Sequence, residues 1–106
     1  IQANNGIRFG DNVEIGPGVK IISSNHELNN FSKTKKSNPI IIGSHVWIGA
    51  NSVILPEVVI GDNVVIGAGS VVLKNIPSNS IAVGNPCKVV KQKGNHININ
   101  HIELNR

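Results

Sequence analysis

Aliphatic residues recur along this chain at a fixed interval of six: Ile42, Ile48, Ile54, Ile60, Ile66 and Val72, with the same phase upstream at Phe9, Ile15 and Ile21. Two positions before each stands a second small or aliphatic residue: Ile7, Val13, Val19, Ile40, Val46, Ser52, Val58, Val64 and Ser70. A helix places apolar residues three and four apart, whereas a strand alternates with period two. Two inward positions two apart, followed by a corner, predict a short strand and a turn wound repeatedly as a solenoid. The fold class is all-β.

The residue after each key aliphatic sets the length of a coil. It reads Gly10, Gly16, Ile22, then Gly43, Gly49, Leu55, then Gly61, Gly67, Leu73. Two glycine corners and one without glycine recur together, so one coil is three units of six, or 18 residues, around a triangular prism. Asn12, His45 and Asn63 share one turn position, and Gly18, Asn51 and Gly69 share another. Gly, Asn and His are residue types that tolerate positive φ, as tight corners require. After Ile21 the next key aliphatic is due at position 27 but arrives at Ile42, an insertion of 15 residues over about 27–41. Solenoids carry such insertions as loops on one face, often the functional one.

The residue just before each key aliphatic should point outward. In the first coil these are charged: Arg8, Glu14 and Lys20. In the next two they are apolar: Ile41, Trp47, Val53, Val59, Val65 and Val71. Outward apolar residues stacked on adjacent coils predict a subunit contact.

Composition narrows the functional classes. At 106 residues the chain is one small domain. Its net charge of +4 is compatible with nucleic acid, but Phe9, Phe31 and Trp47 are the only aromatics available to stack on bases, so no nucleic-acid partner is expected. Cys87 is the single cysteine, which excludes an internal disulfide and fits a reducing, cytoplasmic compartment. No apolar run approaches the roughly 20 residues of a membrane span. The chain opens at Ile1 in mid-pattern, and further sequence is expected upstream.

The stretch "NPIIIGSHVWIGANSVILPEVVIGDNVVIGAGSVVLKNIPSNSIAVGNPCKVV" resembles the hexapeptide-repeat acyltransferases, most closely the sugar O-acetyltransferases of the maltose and galactoside type. The resemblance covers residues 7 to 93 and implies a left-handed parallel β-helix over 1–93, with 94–106 as a C-terminal tail. It also implies a homotrimer and acetyl-CoA as the acyl donor, with no metal. The longer N-terminal portion of those relatives has no counterpart here.

The same resemblance points to site residues. His26, in "SSNHE" at the mouth of the insertion, aligns with the segment holding the family's catalytic histidine. Imidazole titrates near neutrality and suits a general base that takes the proton of an attacking hydroxyl. Asn25 and Glu27 adjoin it, but strand neighbours point to opposite faces, and neither is assigned as its orienting partner. Asn4, in "IQAN", resembles an acceptor-contacting asparagine. Trp47, in "VWIG", resembles a tryptophan lining the cleft between subunits, and an interface anchor is an equal reading of it. The pantetheine arm of coenzyme A is expected to pass Ala50 and Ala68, and its phosphorylated end to approach Lys74, Lys88 and Lys91. The family often carries arginine where Lys88 stands.

The remaining histidines have structural readings. His45 occupies a corner position, while His96 and His101 lie in the Asn-rich tail. Zinc-dependent carbonic anhydrases share this scaffold but need three histidines across matching coils, so no metal site is expected. Transfer of an acetyl group from acetyl-CoA to a hydroxyl of a sugar or other glycan is the expected reaction. Serine or antibiotic acceptors remain open on the same scaffold, as does a non-catalytic assembly module.

Overall fold

The computed structural model describes residues 6–23 and 38–93. Strands β1 (Ile7–Phe9), β2 (Glu14–Ile15) and β3 (Lys20–Ile21) form the first coil. β4 (Ile40–Ile42), β5 (Trp47–Ile48) and β6 (Val53–Ile54) form the second, and β7 (Val59–Ile60), β8 (Val64–Ile66) and β9 (Val71–Val72) the third. β10 (Ser80–Gly84) and β11 (Cys87–Gln92) close that end. Three sheets make the faces of the prism: β1-β4-β7, then β2-β5-β8-β10-β11, then β3-β6-β9.

The register agrees with the period in the sequence. Trp47 lies opposite Val65, and Val53 opposite Val71, each pair parallel and 18 positions apart. Ile7 lies opposite Ile40, so the coil resumes in phase after the insertion. At the six-residue positions Ile21, Ile42, Ile48, Ile54, Ile60, Ile66 and Val72 are all buried. Phe9 and Ile15 remain 45% and 37% exposed on the edge strands β1 and β2, whereas Ile21 on the edge strand β3 is buried.

Left-handed backbone turns the corners. Asn12, His45 and Asn63 each have φ 58, and Gly18, Asn51 and Gly69 have φ 76, 62 and 72. His45 is thus a corner residue, as its position implied. Glu57, at φ 68, turns the third corner of the second coil, and its carboxylate accepts the Asn38 amide at 3.2 Å. Nothing in the residue type announces this, because glutamate is uncommon in the left-handed region.

Side chains also tie coil to coil along the first corner. Ser44 Oγ accepts the Asp11 amide at 3.0 Å, Asp62 Oδ1 accepts the Ser44 amide at 2.8 Å, and Ser78 Oγ accepts the Asp62 amide at 2.8 Å. These bonds satisfy amides that the corner withdraws from the strand ladder.

The last coil departs from the period. Ile76 bridges to Ile60 and Ser80 pairs with Val64, each 16 positions apart, so this coil is two residues short. Asn75 Oδ1 accepts the Val59 amide at 2.8 Å, and a side chain there does the work of a missing main-chain carbonyl. The chain then reverses, and β11 pairs antiparallel with β10 instead of beginning a further coil.

Coil spacing leaves no room at the glycine corners. A Cβ on Gly49 would lie 2.5 Å from the Ala68 amide nitrogen, whereas one on Gly69 would meet nothing within 4 Å. Gly49→Ala is therefore expected to lower the unfolding free energy by about 1–3 kcal/mol through overpacking. Gly69→Asn keeps a residue type suited to its φ and should stay within about 0.5 kcal/mol of the parent. Urea denaturation of both variants checks the contrast.

Candidate functional site

The second face, β2-β5-β8-β10-β11, gathers most of the residues singled out in the sequence. Its outward column runs Glu14, Trp47, Val65, Ile81 and Lys91 in successive register. Trp47 is 53% exposed, and Ile41 and Val59 on the neighbouring face are each 37% exposed. Val53, Val65 and Val71 are half-buried. The apolar belt expected on the second and third coils is therefore present, above a first coil whose outward positions Arg8, Glu14 and Lys20 are exposed and charged.

Ala50 and Ala68 stack on the corner where this face ends, each beside the glycine of the coil beneath: Gly16 for Ala50 and Gly49 for Ala68. Ala68 is exposed and Ala50 half-buried, and a Cβ on Gly69 would meet nothing within 4 Å. At the next level the chain turns back through Asn85 and Pro86, joined by a cis peptide bond, and Gly84 pairs with Cys87 across the turn. Lys88 follows, paired with Val83, and Lys91 pairs with Ile81. Lys91 lies three strands from Trp47 along one column, a separation of about 14 Å at the usual strand spacing. Trp47, Ala50, Ala68, Lys88 and Lys91 thus share one face and its bounding corner. Lys74 stands apart, exposed beyond β9 at the next corner round the prism. His26 and Asn4 lie outside the described residues, as do His96 and His101.

A polar knot inside the prism fastens the reversing turn. Ser70, fully buried, donates its hydroxyl to the Gly67 carbonyl at 2.7 Å and accepts the Gly84 amide at 3.1 Å. Ser52 Oγ, one coil below, donates to the same Gly67 carbonyl at 3.0 Å and accepts the Ser70 amide at 3.3 Å. The sequence marks Ser70 only as a small inward residue; a serine among inward aliphatics was the available signal. Farther along β11, Gln92 Nε2 donates to Ser80 Oγ at 3.0 Å, and Lys93 Nζ donates to Asn63 Oδ1 at 3.0 Å. Burial pulls the Lys93 ammonium below its ordinary value.

Residues 39–74 match the model of the bacterial transferase hexapeptide family (six repeats). The galactoside O-acetyltransferase of Escherichia coli (strain K12) is 46% identical over 89 residues, covering 81% of this chain and 44% of that protein. A solved galactoside acetyltransferase in complex with coenzyme A superposes with a TM-score of 0.70 at 46% identity, over 84% of this chain and 46% of the other. The chain carries the hexapeptide repeat of that bacterial transferase family. A maltose O-acetyltransferase from Clostridium difficile 630 is similar at 32% identity and a TM-score of 0.56, over 81% of this chain and 66% of its own. The prism is a left-handed parallel β-helix, as in these relatives. The chain spans less than half the length of the curated galactoside relative. Among the described residues no cluster of three metal-ligating side chains occurs, and no helix is long and apolar enough to cross a membrane.

Burial pushes the Cys87 thiol above its ordinary value of 9.0, and the Ser70 hydrogen bond partly opposes this. Above pH 9.0 the unfolded chain releases the thiol proton while the folded chain still holds it. Folded protein then binds more protons, and its stability falls as pH rises. The stability of the parent relative to Cys87→Ala should therefore decline above pH 9.0 and be flat below it, as denaturation midpoints across an alkaline series will show.

Proposed function

We propose that the protein is an acetyl-CoA-dependent O-acetyltransferase that acts on a hydroxyl of a sugar or other glycan. The observation carrying this reading is the 46% identity to a galactoside O-acetyltransferase, spread across 81% of the chain. A long, thin, phosphorylated donor also fits the chemistry of the second face. Small Ala50 and Ala68 at an open corner leave room for a pantetheine arm. Lys88 and Lys91 on the last strand are point charges for its phosphates, with Lys74 at the adjacent corner.

His26 is the general base in this reading. Its imidazole takes the acceptor's hydroxyl proton as that oxygen attacks the thioester carbonyl. The tetrahedral intermediate then collapses, the carbon–sulfur bond breaks, and the thiolate leaves with a proton returned by the imidazolium. Asn4 contacts the acceptor. Trp47 lines a cleft between subunits, and the apolar belt around it closes a homotrimer as a ring of heterologous contacts. The activated acyl group arrives on the donor, so the chemistry proceeds without a metal.

Thiol release from acetyl-CoA across a panel of galactosides, maltose, serine and aminoglycosides tests the reading. Release that depends on a sugar is expected, and His26→Ala should lower turnover by about 10²–10⁴-fold. Near-normal turnover in that variant contradicts the general-base role, and failure to bind coenzyme A favours a non-catalytic assembly module. Val65→Glu puts a charge into the apolar belt and should shift the trimer to monomer by sedimentation velocity. An unchanged trimer would place the interface elsewhere.

A further inference from the structure

We infer that Ser70 is a positioning residue for the donor site: its buried hydroxyl sets where the β10–β11 turn, and hence Lys88, stands over the Ala68–Gly69 corner. The inference rests on the proposed donor site and extends it to a residue buried beneath that site.

A serine hydroxyl has one proton to donate and two lone pairs to accept with. Ser70 uses its proton on the Gly67 carbonyl, at 2.7 Å. Its oxygen accepts the Gly84 amide at 3.1 Å. Gly84 pairs with Cys87 to close the turn, so this side chain holds the end at which the turn begins. The other partner, Gly67, immediately precedes Ala68, and the Val83 side chain fills the space over it. The same hydroxyl therefore ties the corner proposed for the pantetheine arm to the turn that carries Lys88.

This fastening matters because the last coil has lost the usual one. Elsewhere a corner is held by the 18-residue main-chain ladder, as Gly69 N bonds Ala50 O at 2.8 Å. At Gly84 the chain leaves that ladder to reverse, and a side chain supplies the bond to the coil below. Lysine is a flexible point charge, and an unfixed base adds ordering cost to each phosphate contact it makes. Ser52 provides an internal control, since it is equally buried and bonds the same Gly67 carbonyl but does not reach the turn.

Titration of coenzyme A by calorimetry into the parent chain, Ser70→Ala, Lys88→Ala, the double variant and Ser52→Ala tests the inference. Loss of one charge-assisted contact corresponds to about tenfold in affinity, and that is the weakening expected for Lys88→Ala and for Ser70→Ala. If Ser70 acts through Lys88, the double variant should bind about as weakly as either single one, and Ser52→Ala like the parent. Thermal unfolding run alongside separates this from a loss of stability: Ser52→Ala should lower the midpoint comparably while sparing affinity. Additive losses in the double variant, equal weakening in Ser52→Ala, or parent-like binding by Ser70→Ala would each overturn the positioning role. Parent-like binding by Lys88→Ala would overturn it as well. No binding by the parent chain removes the donor site itself, and the inference with it.

Discussion

Stacked coils in this chain lie one strand spacing apart, because parallel main-chain ladders on three faces hold them there. Val53 N bonds Ser70 O at 2.8 Å, Gly49 N bonds Ile66 O at 2.8 Å and Gly43 N bonds Ile60 O at 2.8 Å, one bond from each face. At that spacing a corner has room for main chain and little else, which is why a Cβ on Gly61 would lie 2.6 Å from the Ser78 amide nitrogen. The same constraint fills the prism with isoleucine and valine in repeated layers. It also turns the residue between two inward positions to the outside. A belt of apolar side chains and an open corner are consequences of this spacing.

Where the ladder stops, side chains replace it. Asn75 supplies the acceptor for Val59, and Ser70 supplies the acceptor for Gly84. The residues proposed to meet the donor's phosphates lie where main-chain regularity ends. A fully regular coil presents only its corners and flat faces, whereas the reversing strand adds Lys88 next to the turn and Lys91 at the end of the Trp47–Val65 column. The proposed function uses this boundary between repeated and irregular backbone.

Much of this was legible in the sequence because the constraint acts on residue type at fixed positions. The 18-residue coil follows from Gly43, Gly49 and Leu55 recurring as Gly61, Gly67 and Leu73. The shared φ of Asn12, His45 and Asn63 follows from their common place in the coil. The outward belt follows from the residues preceding Ile42 through Val72. What escaped has no periodic signature. Glu57 adopts the left-handed conformation with a residue type that does not announce it. The two-residue shortening is accompanied by one asparagine side-chain carbonyl, which accepts the Val59 amide. The Ser70 knot joins residues 67, 70 and 84, and its bond to Gly84 forms only where the chain leaves the ladder to reverse. His26 and Asn4 came from the resemblance to the sugar acetyltransferases and lie outside the described residues.

In the proposed function the third coil's corner and the reversing turn together hold a coenzyme A-type donor. Amide hydrogen exchange of the chain with and without coenzyme A reads this footprint peptide by peptide and needs no acceptor. Slowed exchange is expected in peptides covering Ala68 to Lys74 and Gly84 to Lys91, with the first coil, Ile7 to Ile21, unchanged. Protection confined to the first coil, or none at saturating coenzyme A, would contradict it.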